Sequence, residues 1–308
     1  MSIAVLPKPL PTYVKAVEAA GVQPQPLSEA TTGVVWLDPR TPDALAEVLD
    51  AHPRIRWVQL PFAGVDAFIP LFGRDDVVFT SAKGAYDEPV AEHALALTLA
   101  ALRQLPVFAR RTSWSSQAGR SLFGLRVAVV GAGGIGRAIV RLLQPFRTRT
   151  TVVRRRQQPV EGAERVIDVD AFRADLGSFD VVILAAALTG DTRHLLGAAE
   201  FAALPDDAVV VNIARGPHID TDALDHALRT GQIAGAAVDV TEPEPLPDDH
   251  PLWTAGNILI TPHTANTWAM AEGPLSARIT HNAKVFLKQE HLGRPMEWEG
   301  IVDQQAGY

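Results

Sequence analysis

VAVVGAGGIGR, residues 127–137, decides how the rest of the chain is read. Four apolar residues, 127–130, run into Gly131-Ala132-Gly133-Gly134-Ile135-Gly136, and an amphipathic stretch continues to Phe146. The pattern is strand, glycine turn, helix. In such a turn the first glycine permits the tight bend and the second lets a pyrophosphate reach the backbone. The third lets helix and strand pack closely, and the helix N-terminus adds a dipole that favours the anion. A GxGxxG without its flanks is a common turn; strand before and helix after make it a dinucleotide signature.

Outward from that turn, residues 150–153, 181–185, 208–213, 234–238 and 258–260 read as further short buried strands of one series. Asp180 and the pair Asp206-Asp207 are polar entries to two of them, and Gly231 marks the C-terminal end of a helix over 221–228. Before the turn, residues 3–6, 33–37, 55–60 and 77–80 form an earlier strand series. Its helical candidates lie at 12–20 and 42–51, the second opening with Thr41 as N-cap and Pro42 at the first helical position. Alternating strands and helices imply parallel sheets covered on both faces.

Residues 88–105 are helical and apolar nearly all round, which requires burial between domains or at a subunit interface. Residues 106–124 lack periodicity and read as an arm or linker. A long helix over 267–292 returns to the first unit, and 294–308 is a polar tail with a short strand. The expected architecture is α/β, with two doubly wound parallel-sheet domains and a cleft between them. A flavodoxin-like substrate domain takes residues 1–95 and 282–308, and a Rossmann cofactor domain takes 96–281.

Composition narrows the classes. The chain has 308 residues, enough for about two domains at roughly 100–200 residues each. A net charge of −7 without a basic block gives no reason to expect nucleic acid or an anionic membrane as partner. With no cysteine, disulfides, thiolate metal sites and a cysteine nucleophile are excluded. Prolines interrupt MSIAVLPKPLP before a signal-peptide apolar region forms, and no apolar run nears the ~20 residues of a membrane span. The expectation is a cytoplasmic protein without membrane contact.

Three polar residues follow strands of the second series, where open α/β sheets bind ligands. Arg215 ends VVVNIARG, Glu244 lies in AAVDVTEPEP, and His263 lies in ILITPHTAN. Each alone reads more readily as a surface charge or a structural histidine; together, beside a nucleotide turn, they suit one chemistry. Hydride transfer from a nicotinamide to a 2-keto acid needs a proton donor for the developing alkoxide and a cation for the carboxylate. His263, of a residue type titrating near ~6.5, fits the acid/base role. Glu244 can hold the other ring nitrogen and raise that pKa, and Arg215 offers a planar fork to a carboxylate.

The blocks NIARGPHIDTDAL, GAAVDVTEPEPLPDDHPLW and ILITPHTA resemble the signatures of the D-isomer-specific 2-hydroxyacid dehydrogenases, over about 87–264. The resemblance implies a catalytic arginine, glutamate and histidine at Arg215, Glu244 and His263. Family formate dehydrogenases carry glutamine at the glutamate position, so Glu244 argues against formate. The resemblance further implies that Asn212, Ile213, Ala214 and Asp239 border the nicotinamide and that Ala186 and Ala187 border the adenine half. The family usually has proline where Ala187 stands. It also anchors the substrate carboxylate on a loop matching Pro61-Phe62-Ala63-Gly64-Val65-Asp66, with Phe62 either a pocket wall or simply a buried aromatic. No metal is expected: prolines break up the acidic run around Asp239, Glu242, Glu244, Asp248, Asp249 and His250.

In NAD-preferring fingerprints an acid lies ~20 residues past the glycines and takes the ribose hydroxyls. Here the residue 18 past Gly136 is Arg154, followed by Arg155 and Arg156, with no acid until Glu161. A carboxylate would repel a 2′-phosphate, whereas guanidinium groups pair with it. The expected cofactor is NADP(H), with NAD(H) as the alternative. The expected reaction is reduction of a small 2-keto acid, such as glyoxylate or hydroxypyruvate, to the D-2-hydroxy acid. Two rivals stay open: a short-form 3-phosphoglycerate dehydrogenase, for which Lys83 and Arg56 are candidate cations, and a nucleotide-sensing corepressor-like protein. The apolar helix implies a homodimer, since in the family it packs across a two-fold axis.

Overall fold

The computed structural model describes residues 1–292 and 297–305. In chain order the elements are β1 (Ile3–Leu6), α1 (Pro11–Glu18), β2 (Gly33–Trp36), α2 (Pro42–Ala51), β3 (Trp57–Gln59), β4 (Val78–Thr80), α3 (Asp87–Leu102) and α4 (Leu105–Ala109). There follow β5 (Arg126–Val130), α5 (Gly134–Leu143), β6 (Arg149–Val153), β7 (Arg165–Ile167), α6 (Val169–Ala174) and β8 (Val181–Leu184). The rest are α7 (Ala198–Ala203), β9 (Val209–Asn212), α8 (Thr221–Thr230), β10 (Gly235–Val238), β11 (Ile258–Ile260) and α9 (Trp268–Leu292). Contacts divide the chain into two compact units, Met1–Tyr86 with Thr267–Tyr308, and Asp87–Asn266. The dividing points precede α3 and α9, so each of these helices belongs whole to one unit; the sequence reading drew its lines inside them.

The first unit holds a parallel sheet in the order β1-β2-β3-β4. One side of it packs Val34, Trp36, Val58 and Phe79 against Leu45, Leu49 and Phe68. Beyond β1 the chain after α1 adds one rung, Gln25 N–H to the Ile3 carbonyl at 2.9 Å. Helix α9 returns to this unit, as the sequence suggested. Its Asn282, fully buried, donates to Gln59 Oε1 at 2.8 Å, and Thr280 donates to the Ala16 carbonyl. Gln59 Nε2 donates to the Leu60 carbonyl and Asn282 Oδ1 accepts Glu299 N–H, so both buried amides are satisfied, the condition for keeping them inside. Of the tail strand expected in 294–308, the described residues show an antiparallel bridge between Thr80 and Ile301. Residues 294–296 and 306–308 lie outside the described residues. Pro42 opens α2, but Thr41 makes no side-chain cap.

The second unit carries a parallel sheet in the order β11-β10-β9-β8-β5-β6-β7. Its central strands are apolar on both faces, as double coverage requires, with Val182, Leu184, Val210 and Val238 in a core shared with Phe172, Phe179 and Phe201. β5 pairs with β8 on one side and β6 on the other. The chain therefore leaves β5 in one direction and later crosses to its opposite side, which opens a crevice at the carboxyl ends of these strands. The glycine turn sits there.

Local chemistry explains the element ends. Asp220 caps α8 by accepting from Ala223 N–H at 3.0 Å, and Gly231 closes it in the left-handed region at φ 72°. Asp180, the polar entry to β8, is 7% exposed and is clasped by Arg126 and Arg120 at 2.8–3.2 Å. Burial by itself raises its carboxyl, yet the hydrogen bonds from Arg126 and Arg120 outweigh that and lower it to about 2. Arg120 belongs to the segment read as an arm or linker. That segment instead begins with α4 and is pinned again at Arg120, whose backbone N–H donates to the Leu102 carbonyl at 2.7 Å.

Helix α3 has one buried face. Val90, Ala91, Ala94, Leu97, Thr98 and Ala101 turn inward, while Leu95 and Leu99 are half-buried and Ala96 is exposed. Among the described residues no helix is long and apolar enough to cross a membrane.

Candidate active site

At the end of β5 the chain turns at Gly131, φ 112°, with its N–H on the Val153 carbonyl at 2.8 Å. A Cβ there would meet the Ala185 carbonyl, and one at Gly136 would meet the carbonyl of Gly131 itself. Neither position tolerates a side chain, because strand β8 and helix α5 press directly on the turn. Gly133, which precedes the first turn of α5, has nothing within 4 Å of where a Cβ would stand. Backbone N–H groups at a helix start are thus approachable from outside, the cradle a pyrophosphate requires. The residues fit a dinucleotide. Gly134 packs against the Asp87 carboxylate, and Ile135 forms part of the first turn of α5.

Arg154 follows β6 directly, its backbone N–H on the Ile167 carbonyl of β7 at 2.9 Å. Its residue is half-buried; Arg155 and Arg156 are exposed. The sequence reading did not anticipate β7, three residues long, and so missed the acid that follows it. Asp168 lies at that strand end, but Ala171 N–H occupies one oxygen at 2.9 Å and Gln157 the other at 2.7 Å. Across the turn, Ala185 N–H bonds the Val130 carbonyl, and half-buried Ala186 and exposed Ala187 continue from there.

After β9, Asn212 is fully buried and shapes the next turn: its Oδ1 accepts from Ala214 N–H at 3.0 Å and its Nδ2 donates to the Arg215 carbonyl at 2.9 Å. Ile213 and Ala214 are buried beneath it. Arg215 stands half-buried, with Nη1 on the Ala214 carbonyl at 2.7 Å. Gly216 packs on the Thr241 backbone, which brings the loops after β9 and β10 together.

His263 and Glu244 are paired, Nδ1 to Oε1 at 2.7 Å. Hydrogen bonding to Glu244 raises the His263 pKa against the opposing effect of burial, with the Glu244 and Asp239 charges adding to it and the Arg215 charge lowering it. The same hydrogen bond lowers Glu244. Because a carboxylate can only accept, Nδ1 carries hydrogen and Nε2 is the atom left to face a ligand.

His263 is in the left-handed region at φ 50°, costly by about 1–2 kcal/mol without glycine. Asp239 holds it there. Its carbonyl accepts His263 N–H at 2.8 Å, its Oδ1 accepts Thr264 N–H at 2.8 Å, and its Oδ2 accepts Ala265 N–H at 2.9 Å. The side chain is 1% exposed; burial raises its pKa, but hydrogen bonds from His93, Thr261 and this turn prevail and lower it. The sequence reading singled out neither His93 nor Thr261. The available signal was a titratable residue inside an apolar helix.

In the first unit, Phe62, Ala63 and Gly64 are half-buried after β3. The Phe62 ring lies 4.9 Å from that of Trp268, and Tyr86 donates to the Pro61 carbonyl at 2.8 Å. Arg56 precedes β3, at the amino end of the sheet, and pairs with Asp76 at 3.3 Å.

Residues 95–265 match the family model for the D-isomer specific 2-hydroxyacid dehydrogenase NAD binding domain. A glyoxylate reductase of Thermofilum pendens is 31% identical over 80% of this chain and 76% of its own. A D-isomer specific 2-hydroxyacid dehydrogenase of Xanthobacter autotrophicus, solved with NADPH and MES, is 27% identical with a TM-score of 0.83, covering 100% of this chain and 99% of that one. An NADPH-dependent glyoxylate/hydroxypyruvate reductase of Sinorhizobium meliloti, solved with NADP and sulfate, is 25% identical with a TM-score of 0.81 over all of both chains. The chain belongs to the D-isomer-specific 2-hydroxyacid dehydrogenase family.

A pKa raised in the folded state means that, while Glu244 is ionised, the stability contributed by the His263–Glu244 charge pair is fully present below ~6.5 and is lost as pH rises through the raised value. The neutral Nδ1–H bond to Glu244 remains. Glu244→Gln is expected to return the His263 midpoint toward ~6.5, read from imidazole proton NMR. An unmoved midpoint would assign the shift to another group.

Proposed function

We propose that this protein reduces a small 2-keto acid, of the glyoxylate or hydroxypyruvate kind, to the D-2-hydroxy acid with NAD(P)H. The observation that carries the reading is the His263–Glu244 pair at 2.7 Å, on a turn of the same unit as the open glycine cradle and Arg215. Relatives named as glyoxylate reductases support the substrate class.

Gly131, Gly133, Gly134, Ile135 and Gly136 would hold the pyrophosphate of a nicotinamide dinucleotide. Ala186 and Ala187 would border its adenine half, and Asn212, Ile213, Ala214 and Asp239 its nicotinamide, which when bound would supply hydride. His263 donates the balancing proton from Nε2 to the carbonyl oxygen and is left neutral, its Nδ1–H still on Glu244. Hydrogen bonding to Glu244 raises the His263 pKa, which favours the protonated form that donates. Arg215 binds the substrate carboxylate and polarises the carbonyl oxygen. Phe62, Ala63 and Gly64 belong to substrate binding. The phosphoglycerate alternative is weakened by Arg56, which stands at the wrong end of its sheet and is already paired with Asp76.

The cofactor is NADP(H) by preference. Arg154 stands at the position 18 past the last glycine, Arg155 is beside it, and Asp168, at the end of the neighbouring β7, is engaged by Ala171 and Gln157. Two structural relatives were solved with NADPH or NADP. In a cell NADPH favours reduction, so the keto acid is the substrate. Two copies assemble, as supported by the half-exposed Leu95 and Leu99 face of α3 and by Leu105 and Trp114, 53% and 101% exposed. Sedimentation at micromolar concentration is expected to return twice the chain mass of 33.1 kDa; a single mass would overturn it.

Initial rates with glyoxylate, hydroxypyruvate, pyruvate and bulkier keto acids test the reaction. His263→Ala is expected to abolish turnover while keeping NADPH affinity, and a near wild-type rate in that variant would remove the proton-donor assignment. Arg154→Asp with Arg155→Ala is expected to raise the NADPH KM at least about tenfold, the loss of one or two charged hydrogen bonds. Unchanged NADPH kinetics, or a wild type preferring NADH, would overturn the cofactor preference.

A further inference from the structure

Behind the turn that carries His263 lies a second histidine. His93, on α3, brings Nε2 to 3.2 Å from Thr261 Oγ1 and 3.4 Å from Asp239 Oδ1. Thr261 has one hydroxyl hydrogen, and it is spent on Asp239 Oδ1 at 2.5 Å. Both oxygens that face Nε2 are therefore acceptors toward it, so Nε2 carries hydrogen and His93 is the donor. Asp239 is 1% exposed, and a buried carboxylate is tolerated only when its oxygens are fully engaged. Oδ1 is the crowded one: it takes Thr264 N–H, the Thr261 hydroxyl and the approach of His93.

We propose that His93 is a positioning residue, which through Thr261 and Asp239 holds the backbone turn that presents His263. It touches neither reacting atoms nor cofactor in this role; it fixes the carboxylate that collects the Thr264 and Ala265 N–H groups, beside the Asp239 carbonyl that takes His263 N–H. The geometry makes the dependence directional. Without a donor at position 93, Thr261 and Asp239 lose a shared partner, the carboxylate can rotate, and the bonds to Thr264 and Ala265 weaken together. The left-handed residue His263, which nothing intrinsic to a histidine favours, is then free to relax. Its pairing with Glu244 loosens with it.

The inference rests on the reductase reading, and the test separates the two. Intact protein is compared as wild type, His93→Phe, which keeps a ring without a donor, and His93→Gln, whose amide N–H reaches about as far as Nε2. Sites competent to bind are counted by NADPH fluorescence titration, so that rates refer to folded protein. His93→Phe is expected to lose roughly tenfold in kcat with the NADPH KM within about twofold, and His93→Gln to recover most of the loss. In parallel, imidazole NMR is expected to show the His263 midpoint falling in His93→Phe and restored in His93→Gln. The groups acting on His263 are Glu244, Asp239 and Arg215, all present in both variants. A His93→Phe protein with unchanged kcat and unchanged His263 midpoint would overturn the proposal, as would equal impairment of the Phe and Gln variants. Wild type without turnover on any keto acid would overturn the reductase reading instead, and the NMR comparison would still decide the role of His93.

Discussion

One carboxylate organises the candidate site. Asp239 takes His263 N–H on its carbonyl, Thr264 N–H on Oδ1 and Ala265 N–H on Oδ2, at 2.8, 2.8 and 2.9 Å. Hydrogen bonds to an ionised, buried acceptor contribute about 1.5–3 kcal/mol each, against about 1–2 kcal/mol for a non-glycine residue in the left-handed region. The bonds win, and the turn is set by its anchor rather than by the intrinsic preference of His263. Three consecutive N–H groups converge on one residue only if the chain bends as observed, so the direction in which the imidazole leaves the backbone is fixed by Asp239. Glu244 then fixes the ring about its own axis.

The glycine turn works by the opposite means. There the chain is positioned by what is missing: a side chain at Gly131 or Gly136 would collide with backbone carbonyls, so β5, α5 and the end of β8 close to contact distance. Closeness at the strand ends leaves the N-terminus of α5 facing outward at Gly133, where nothing obstructs it. Steric absence builds the anion cradle and hydrogen bonds to Asp239 build the acid turn, and both stand at the carboxyl ends of one parallel sheet.

What could be read from the sequence follows this distinction. Long apolar strands and the glycine spacing are local patterns, and β5, β8, β9, β10 and β11 emerge within a residue or two of where periodicity sets them. The candidates Arg215, Glu244 and His263 could be named because each follows a strand whose end could be located. β7 was not legible, since three residues, RVI, carry too little periodicity to distinguish a strand from a loop. With β7 went the nearness of Asp168 to the arginine turn, a contact made by sheet pairing and not by chain proximity. His93 was hidden for the same reason: it is 146 residues before Asp239, and the packing of α3 against β9, β10 and β11 brings the two together. The apolar surface of α3 was legible as apolar, but its division into an inward and a half-exposed face depends on which residues the sheet covers.

The charges around His263 also bear on one another. Glu244 and Asp239 raise its pKa and Arg215 lowers it. Arg215 lowers it because a second positive charge nearby disfavours the imidazolium. An anion bound to the guanidinium cancels most of that repulsion, which leaves burial alone to oppose the two carboxylates. Occupation of Arg215 by a carboxylate and retention of a proton on His263 therefore favour each other by reciprocal linkage. The coupling needs no movement of the backbone. It is strongest where water is excluded, because the interaction between the two cations grows as the local dielectric falls.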